Sequence, residues 1–278
     1  MDLNLLESIF YGFISGLTEI LPVSGQAHRN LMLQLLGQPG EQAMLRLMIR
    51  AGILAALYYS CQNHILRMIR ARNLARIPKR RRKRPLDVRS LMDMSLLKTM
   101  AVPVILALFV YGRVSALNGK RIFVSVMLFL NGVILYIPQF LPGSNRDSRT
   151  LSRVEGLWMG LGGALSLLPG LSPTGAAASI GSICGVDRAY GLNMTYLMCM
   201  ILTLVLMIHD VFALFSAGVA GLTFMTLVGY ILAGTAAFCG AFLAVRVMRA
   251  LASNRGFGVF AFYCWGVSLF TFILYLTI

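Results

Sequence analysis

Glu19 and His28 lie in one otherwise apolar stretch, Gly16-Leu17-Thr18-Glu19-Ile20-Leu21-Pro22-Val23-Ser24-Gly25-Gln26-Ala27-His28. A carboxylate there could act as a base or hold a divalent cation, and an imidazole transfers protons near neutral pH. Ionisable side chains in an apolar segment are costly and by default mark a functional site; the bland alternative is a polar tip held in interfacial water. A second stretch, Gly163-Ala164-Leu165-Ser166-Leu167-Leu168-Pro169-Gly170-Leu171-Ser172-Pro173-Thr174-Gly175, repeats the first. Gly16, Leu21 and Pro22 recur as Gly163, Leu168 and Pro169, and one inserted residue brings Ser24 onto Ser172. Ser24, Gly170, Ser172 and Thr174 thus offer hydroxyls and freed backbone amides of the kind that bind phosphate oxygens, although a serine after proline is often only a helix cap. Arg46 and Arg50 are spaced i, i+4 and share one helix face. They either clamp a phosphate or snorkel to lipid headgroups.

The elements that must position these residues follow from their surroundings. Proline and glycine interrupt a helix, and non-helical backbone at membrane depth is tolerated only where it lines protein or a cavity. Breaks at matching places in two halves point to a binding site between them. Hydrophobic residues make up 58% of the 278-residue chain and charged ones only 13%, against roughly a quarter charged in soluble domains. A soluble helical protein would have to hide several runs of about 20 apolar residues, each long enough to span a bilayer. The fold expected is therefore an all-α polytopic membrane protein, one integral membrane domain over 1–278. It is built as two inverted-topology repeats (about 1–138 and 156–278), each with a re-entrant broken helix, and has about six full spans. The broken segments are 3–37 and 156–184; the spans run over about 43–62, 98–114, 121–138, 190–214, 222–245 and 257–278.

Net charge is +15, which by itself would suit nucleic acid. Its distribution says otherwise. Eleven Lys or Arg residues lie between Arg67 and Arg89, opposed by Asp87 alone, with no folded reader module beside them. A basic loop over 63–97 is what the positive-inside rule produces, so it and the basic stretches 139–155 and 246–256 are assigned to the cytoplasm. His209-Asp210 falls near the outer end of a span and reads as interfacial. The five cysteines lack paired spacing and read as small hydrophobes, and the acidic start (Asp2, Glu7) is not that of a cleaved signal peptide.

Glu19-Ile20-Leu21-Pro22-Val23-Ser24 with His28, and Pro169-Gly170-Leu171-Ser172 in the second half, resemble the undecaprenyl-diphosphate phosphatase family, as do the chain length, the span order, Gly185-Val186-Asp187-Arg188 and Phe260-Ala261-Phe262-Tyr263. The resemblance implies a multi-pass protein of the bacterial cytoplasmic (inner) membrane that removes phosphate from the C55 polyprenyl diphosphate carrier of peptidoglycan synthesis, a function associated with bacitracin resistance. It implies Glu19, His28, Ser24 and Ser172 as catalytic residues and Glu19 as ligand of a divalent cation, Mg²⁺ or Ca²⁺. Thr174 and Gly170 then bind substrate, joined by Arg46 and Arg50 as the phosphate clamp their spacing suggests. The expected partners are a polyprenyl diphosphate or phosphate lipid and the membrane, with a homodimer left open and no nucleic acid. The chain departs from the family pattern where Ser15 replaces the first of two acids, Pro173 an arginine, Ala177 a threonine and Cys264 an arginine, and where Arg46 and Arg50 replace an acid and a glutamine. The metal is the expectation these departures put in doubt. A non-catalytic transporter or binder of polyprenyl phosphate is the alternative, and an accessory protein recruiting a partner through 67–89 a weaker third.

Overall fold

The computed structural model describes residues 3–38, 40–217, 223–254 and 257–277, and among these it is helical throughout, with no strand. The helices are α1 (Leu5–Ile20), α2 (Gly25–Leu35), α3 (Ala43–Ala75), α4 (Val88–Leu106), α5 (Leu108–Ser115), α6 (Arg121–Tyr136), α7 (Arg153–Leu165), α8 (Pro173–Ile183), α9 (Arg188–Ala217), α10 (Phe224–Asn254) and α11 (Val259–Thr277). Five of them (α3, α6, α9, α10 and α11) are long and apolar enough to cross a bilayer, and α4 with α5, bent by 45° at their junction, is long and apolar enough only when the two are counted together. Many large apolar side chains face outward, Phe109, Phe212 and Phe262 among them. In water that would be a liability; in lipid it is the ordinary solvent face. The protein is a multi-pass membrane protein.

Lipid tails are as apolar as leucine, so helices in a bilayer associate through close packing of small residues. The α1–α10 contact shows this. A Cβ added to Gly12 or Gly16 would run into the backbone of Ala233 or Ala237, and Ala241 and Ala244 continue the same buried stripe. In the packing, α1 lies on α10 and α7 on α4, α2 folds back on α1 and α8 on α7, while α3 meets α9 and α6 meets α11.

The basic segment differs from its sequence reading. Only 76–87 is a link, with one 3-10 turn at Lys79–Arg81, and the rest of 63–97 belongs to α3 and α4. At 33 residues α3 is ~50 Å long, well beyond a bilayer core of about 30 Å, so its basic end stands out as helix. Arg246 and Arg249 likewise sit inside α10. At the same end, the 141–152 connection is pinned by Asp147, which pairs with Arg149 at 2.9 Å and Arg89 at 3.2 Å. The hydrogen bonds from Arg149 hold the Asp147 carboxyl below the usual carboxylate range.

Candidate functional site

Both helix breaks are made by residues that cannot continue a helix. After α1, Leu21 is extended before Pro22, as the residue ahead of a proline must be, and Ser24 takes φ 66°, the one positive φ at a non-glycine among the described residues. The Ser24 Oγ caps α2 by accepting from the Ala27 N–H at 3.4 Å. After α7 the chain passes through Gly170 at φ 111° to Ser172, whose Oγ caps α8 by accepting from the Gly175 N–H at 3.2 Å. The breaks meet. Asn131 of α6 donates from Nδ2 to the Pro22 carbonyl at 2.8 Å and accepts at Oδ1 from the Ser172 N–H at 2.9 Å. One buried side chain thus satisfies a freed backbone group in each half.

Beside this junction, at the end of the bundle away from the 76–87 link, a cavity of about 590 Å³ opens. One stripe of α2 walls it with Gln26, Arg29, Asn30, Leu33 and Gln34; Arg46 and Arg50 face it from α3, Tyr111 from α5 and Arg121 from the start of α6. Below lies a recess of about 30 Å³ walled by Glu19, Gln26, Arg29, Arg50 and Pro173, enough room for a water molecule. To the side, a cleft of about 270 Å³ shares Gln34, Gln38 and Arg121 with the cavity and continues between Leu35, Leu274 and Tyr275.

Ion pairs organise the walls. Arg29 Nη1 is 2.6 Å from Glu19 Oε2, and its Nε is 3.8 Å from Glu41 Oε2. The other Glu41 oxygen accepts from the Tyr11 hydroxyl at 3.0 Å. Asp210 of α9, only 1% exposed, pairs with Arg46 at 3.1 Å and closely with Arg50 Nη1. Arg50 also donates to the Leu206 carbonyl at 2.9 Å and Arg46 to the Glu41 carbonyl at 2.9 Å. Four guanidinium groups (Arg29, Arg46, Arg50, Arg121) thus face three carboxylates (Glu19, Glu41, Asp210), leaving one positive charge in excess toward the cavity.

The structure divides the residues singled out in the sequence. Glu19 lies on the floor, and Arg46 and Arg50 face the cavity rather than lipid. His28, Ser24, Ser172, Thr174 and Gly170 lie behind the wall. The His28 Nδ1 sits 2.9 Å from the Ser24 carbonyl, which can only accept; the neutral ring therefore carries its proton on Nδ1 and accepts at Nε2 from the Tyr263 hydroxyl at 2.8 Å. Ser24, Ser172 and Thr174 are fully buried, the last with its Oγ1 3.9 Å from Cys199 Sγ. A Cβ on Gly170 would come within 2.6 Å of Met127 Cβ, so this glycine lets the break approach α6.

Asp210 corrects the interfacial reading of His209-Asp210, because it is buried as the shared partner of two arginines. Arg29, Glu41 and Asp210 are the residues sequence reasoning missed. A signal for Arg29 existed: Gln26, Arg29, Asn30 and Leu33 follow the i, i+3, i+4, i+7 spacing of one helix face, polar where the neighbouring spans are apolar.

Glu19 is the carboxylate a divalent cation would need, and its surroundings do not suit one. One of its oxygens is held by Arg29, the position one turn earlier is Ser15, with a buried and unpartnered hydroxyl, and no three His, Cys, Asp or Glu side chains gather among the described residues. Magnesium and calcium are held by several oxygen ligands, carboxylates chief among them. Here the donors are already spoken for by guanidinium groups.

Fold and site together define a multi-pass membrane protein with an arginine-walled cavity beside two apposed helix breaks. The model of the family described as Bacitracin resistance protein BacA matches residues 8–270, and the chain belongs to that family. It is similar to proteins named Undecaprenyl-diphosphatase: one from Methanobrevibacter smithii, 27% identical over 98% of both chains, and one from Halothermothrix orenii, 24% identical over 98% of both. Another from Nocardioides sp. is 28% identical over 70% of both.

Proposed function

We propose that the protein hydrolyses a polyprenyl diphosphate, with undecaprenyl diphosphate as the substrate, returning the lipid monophosphate carrier to cell-wall synthesis. The observation that carries this is the cavity itself: Arg29, Arg46 and Arg50 converge above Glu19, with a water-sized recess at that carboxylate. Phosphoryl transfer asks little of the protein beyond positioning and stabilising charge on the phosphoryl oxygens, and planar guanidinium groups do both. A water in the recess bonds to the terminal phosphorus, the bond from that phosphorus to the bridging oxygen breaks, and its electron pair stays with the lipid monophosphate. Glu19 orients the water and takes its proton, which leaves with inorganic phosphate. His28 acts as a positioning residue, fixing the turn at Ser24 from which α2 carries Arg29.

The prenyl chain leaves through the cleft between α2 and α11, where polar Gln34 and Gln38 give way to Leu35, Leu274 and Tyr275. With the basic end of α3 in the cytoplasm, the cavity opens at the outer leaflet of the bacterial cytoplasmic membrane. A non-catalytic transporter or binder is the less favoured reading, given relatives named for a diphosphatase activity.

The test is phosphate release from undecaprenyl diphosphate by the detergent-purified protein. Glu19→Gln and Arg50→Met should each lower kcat/KM by about two orders of magnitude or more, the scale of losing a charged group from such a clamp. No release above background, or full activity in Glu19→Gln, would remove this reading.

A further inference from the structure

We propose that Arg29 supplies, as a fixed part of the chain, the positive charge that a bound divalent cation would bring to Glu19, so that this protein acts on its diphosphate without a metal ion. The inference rests on the cavity being the diphosphate site. Its ground is where the guanidinium lies: between the carboxylates of Glu19 from α1 and Glu41 from just before α3, at 2.6 and 3.8 Å. Two acids converging on one positive centre is the arrangement by which a protein holds a hard cation. Here that centre is covalently attached.

The neighbouring groups agree. Glu41 is engaged by the Tyr11 hydroxyl at one oxygen and by Arg29 at the other, and Asp210 by Arg46 and Arg50, so among the described residues each carboxylate at the cavity already faces a donor. An incoming dication would also meet Arg46 and Arg50 across the same space. Arg29 is not used up by its acids. A guanidinium carries five N–H donors, and Arg29 lines both the cavity and the recess beneath it, so the donors its acids do not take are within the walls that would receive a phosphoryl group. The short α1–α2 connection fixes the pair, since Glu19 and Arg29 stand on the two arms of one hairpin.

The experiment has two readouts on the purified full chain in detergent. In excess EDTA, phosphate release from undecaprenyl diphosphate should stay within twofold of the rate with Mg²⁺ or Ca²⁺. In a thermal unfolding assay, inorganic pyrophosphate in EDTA should raise the melting temperature, whereas Mg²⁺ or Ca²⁺ alone should not. Arg29→Gln should abolish the pyrophosphate shift. Because that variant leaves the Glu19 carboxylate without its closest partner, the double variant Glu19→Gln/Arg29→Gln, which removes both charges, is the companion and should also lose the shift. A tenfold loss of activity in EDTA restored by either cation overturns the inference, as does a cation-induced melting shift that Glu19→Gln removes. Should the protein release no phosphate under any condition, the hydrolase reading fails, and the pyrophosphate shift in EDTA still decides the inference: present and dependent on Arg29 it stands, absent or cation-dependent it falls.

Discussion

Asp210→Asn is the perturbation with the most exposed reasoning. The wild-type carboxylate is 1% accessible and is the shared ion-pair partner of two arginines, Arg46 at 27% side-chain exposure and Arg50 at 11%. Removing one partner of a buried ion pair costs about 3–5 kcal/mol, because the remaining charge stays buried and uncompensated. Asparagine keeps one acceptor oxygen, Arg46 reaches water, and Arg50 retains the Leu206 carbonyl, so the low end applies, ~3 kcal/mol. At about 2–4 °C per kcal/mol for chains of roughly this size, the melting temperature should fall by about 6–12 °C. The assay is unfolding in detergent followed with a thiol-reactive dye, since the free cysteines Cys61, Cys199 and Cys264 are buried and report opening of the bundle. The double variant Arg50→Met/Asp210→Leu replaces the closest pair with apolar groups and should recover most of the stability while losing diphosphate binding. A drop of less than about 2 °C in Asp210→Asn, under ~1 kcal/mol, would refute the buried-pair account.

Three further outcomes follow from other parts of the structure. Asn131→Leu strands the Ser172 N–H, at about 1–3 kcal/mol, leaves the Pro22 carbonyl with only the weak Cys264 thiol donor at 3.8 Å, and should lower both melting temperature and kcat; an unchanged melting curve counts against the bridge. Leu274→Trp narrows the side cleft and should raise KM severalfold for undecaprenyl diphosphate but not for a short-chain prenyl diphosphate, and equal effects on both would place the tail elsewhere. Because the folded pKa of Asp147 lies below its unfolded value, near 4, its contribution is complete above that value and is lost as pH falls through the folded pKa. Hydrogen exchange in 141–152, corrected for intrinsic rate, should therefore rise as pH falls below about 4, and Asp147→Asn should show the same rise at pH 7.

How far the sequence reached depended on the kind of signal. The breaks at Pro22 and at Pro169-Gly170 were readable because proline and glycine act locally, and each falls within a few residues of its expected place. Five of the spans were readable from length and hydropathy alone, whereas the one expected over 98–114 is the bent pair Val88–Leu106 and Leu108–Ser115. The extent of α3 was not, since arginine and leucine are both good helix formers and a basic helix and a basic loop differ little in composition. Arg46 and Arg50 showed their shared face but not its direction, because that depends on Asp210, distant in sequence and close in space. His28, Ser24 and Ser172 carried the motif yet sit behind the wall. Their hydroxyls and ring nitrogens hold the turns, and a spacing rule cannot separate a group that makes a turn from one that touches a ligand.

The long helix α3 also acts as a depth gauge. Between Arg50 at the cavity and Arg67 at the first turn of basic residues, 16 residues carry no Asp, Glu, Lys or Arg, a rise of roughly 25 Å that nearly matches the hydrocarbon core. Sliding the rod by a turn in either direction would drag a charged end into the acyl region, at ~2.5–3.5 kcal/mol per charge. Laid against a bilayer core of about 30 Å, that stretch puts the cavity arginines close to the level of lipid phosphate oxygens.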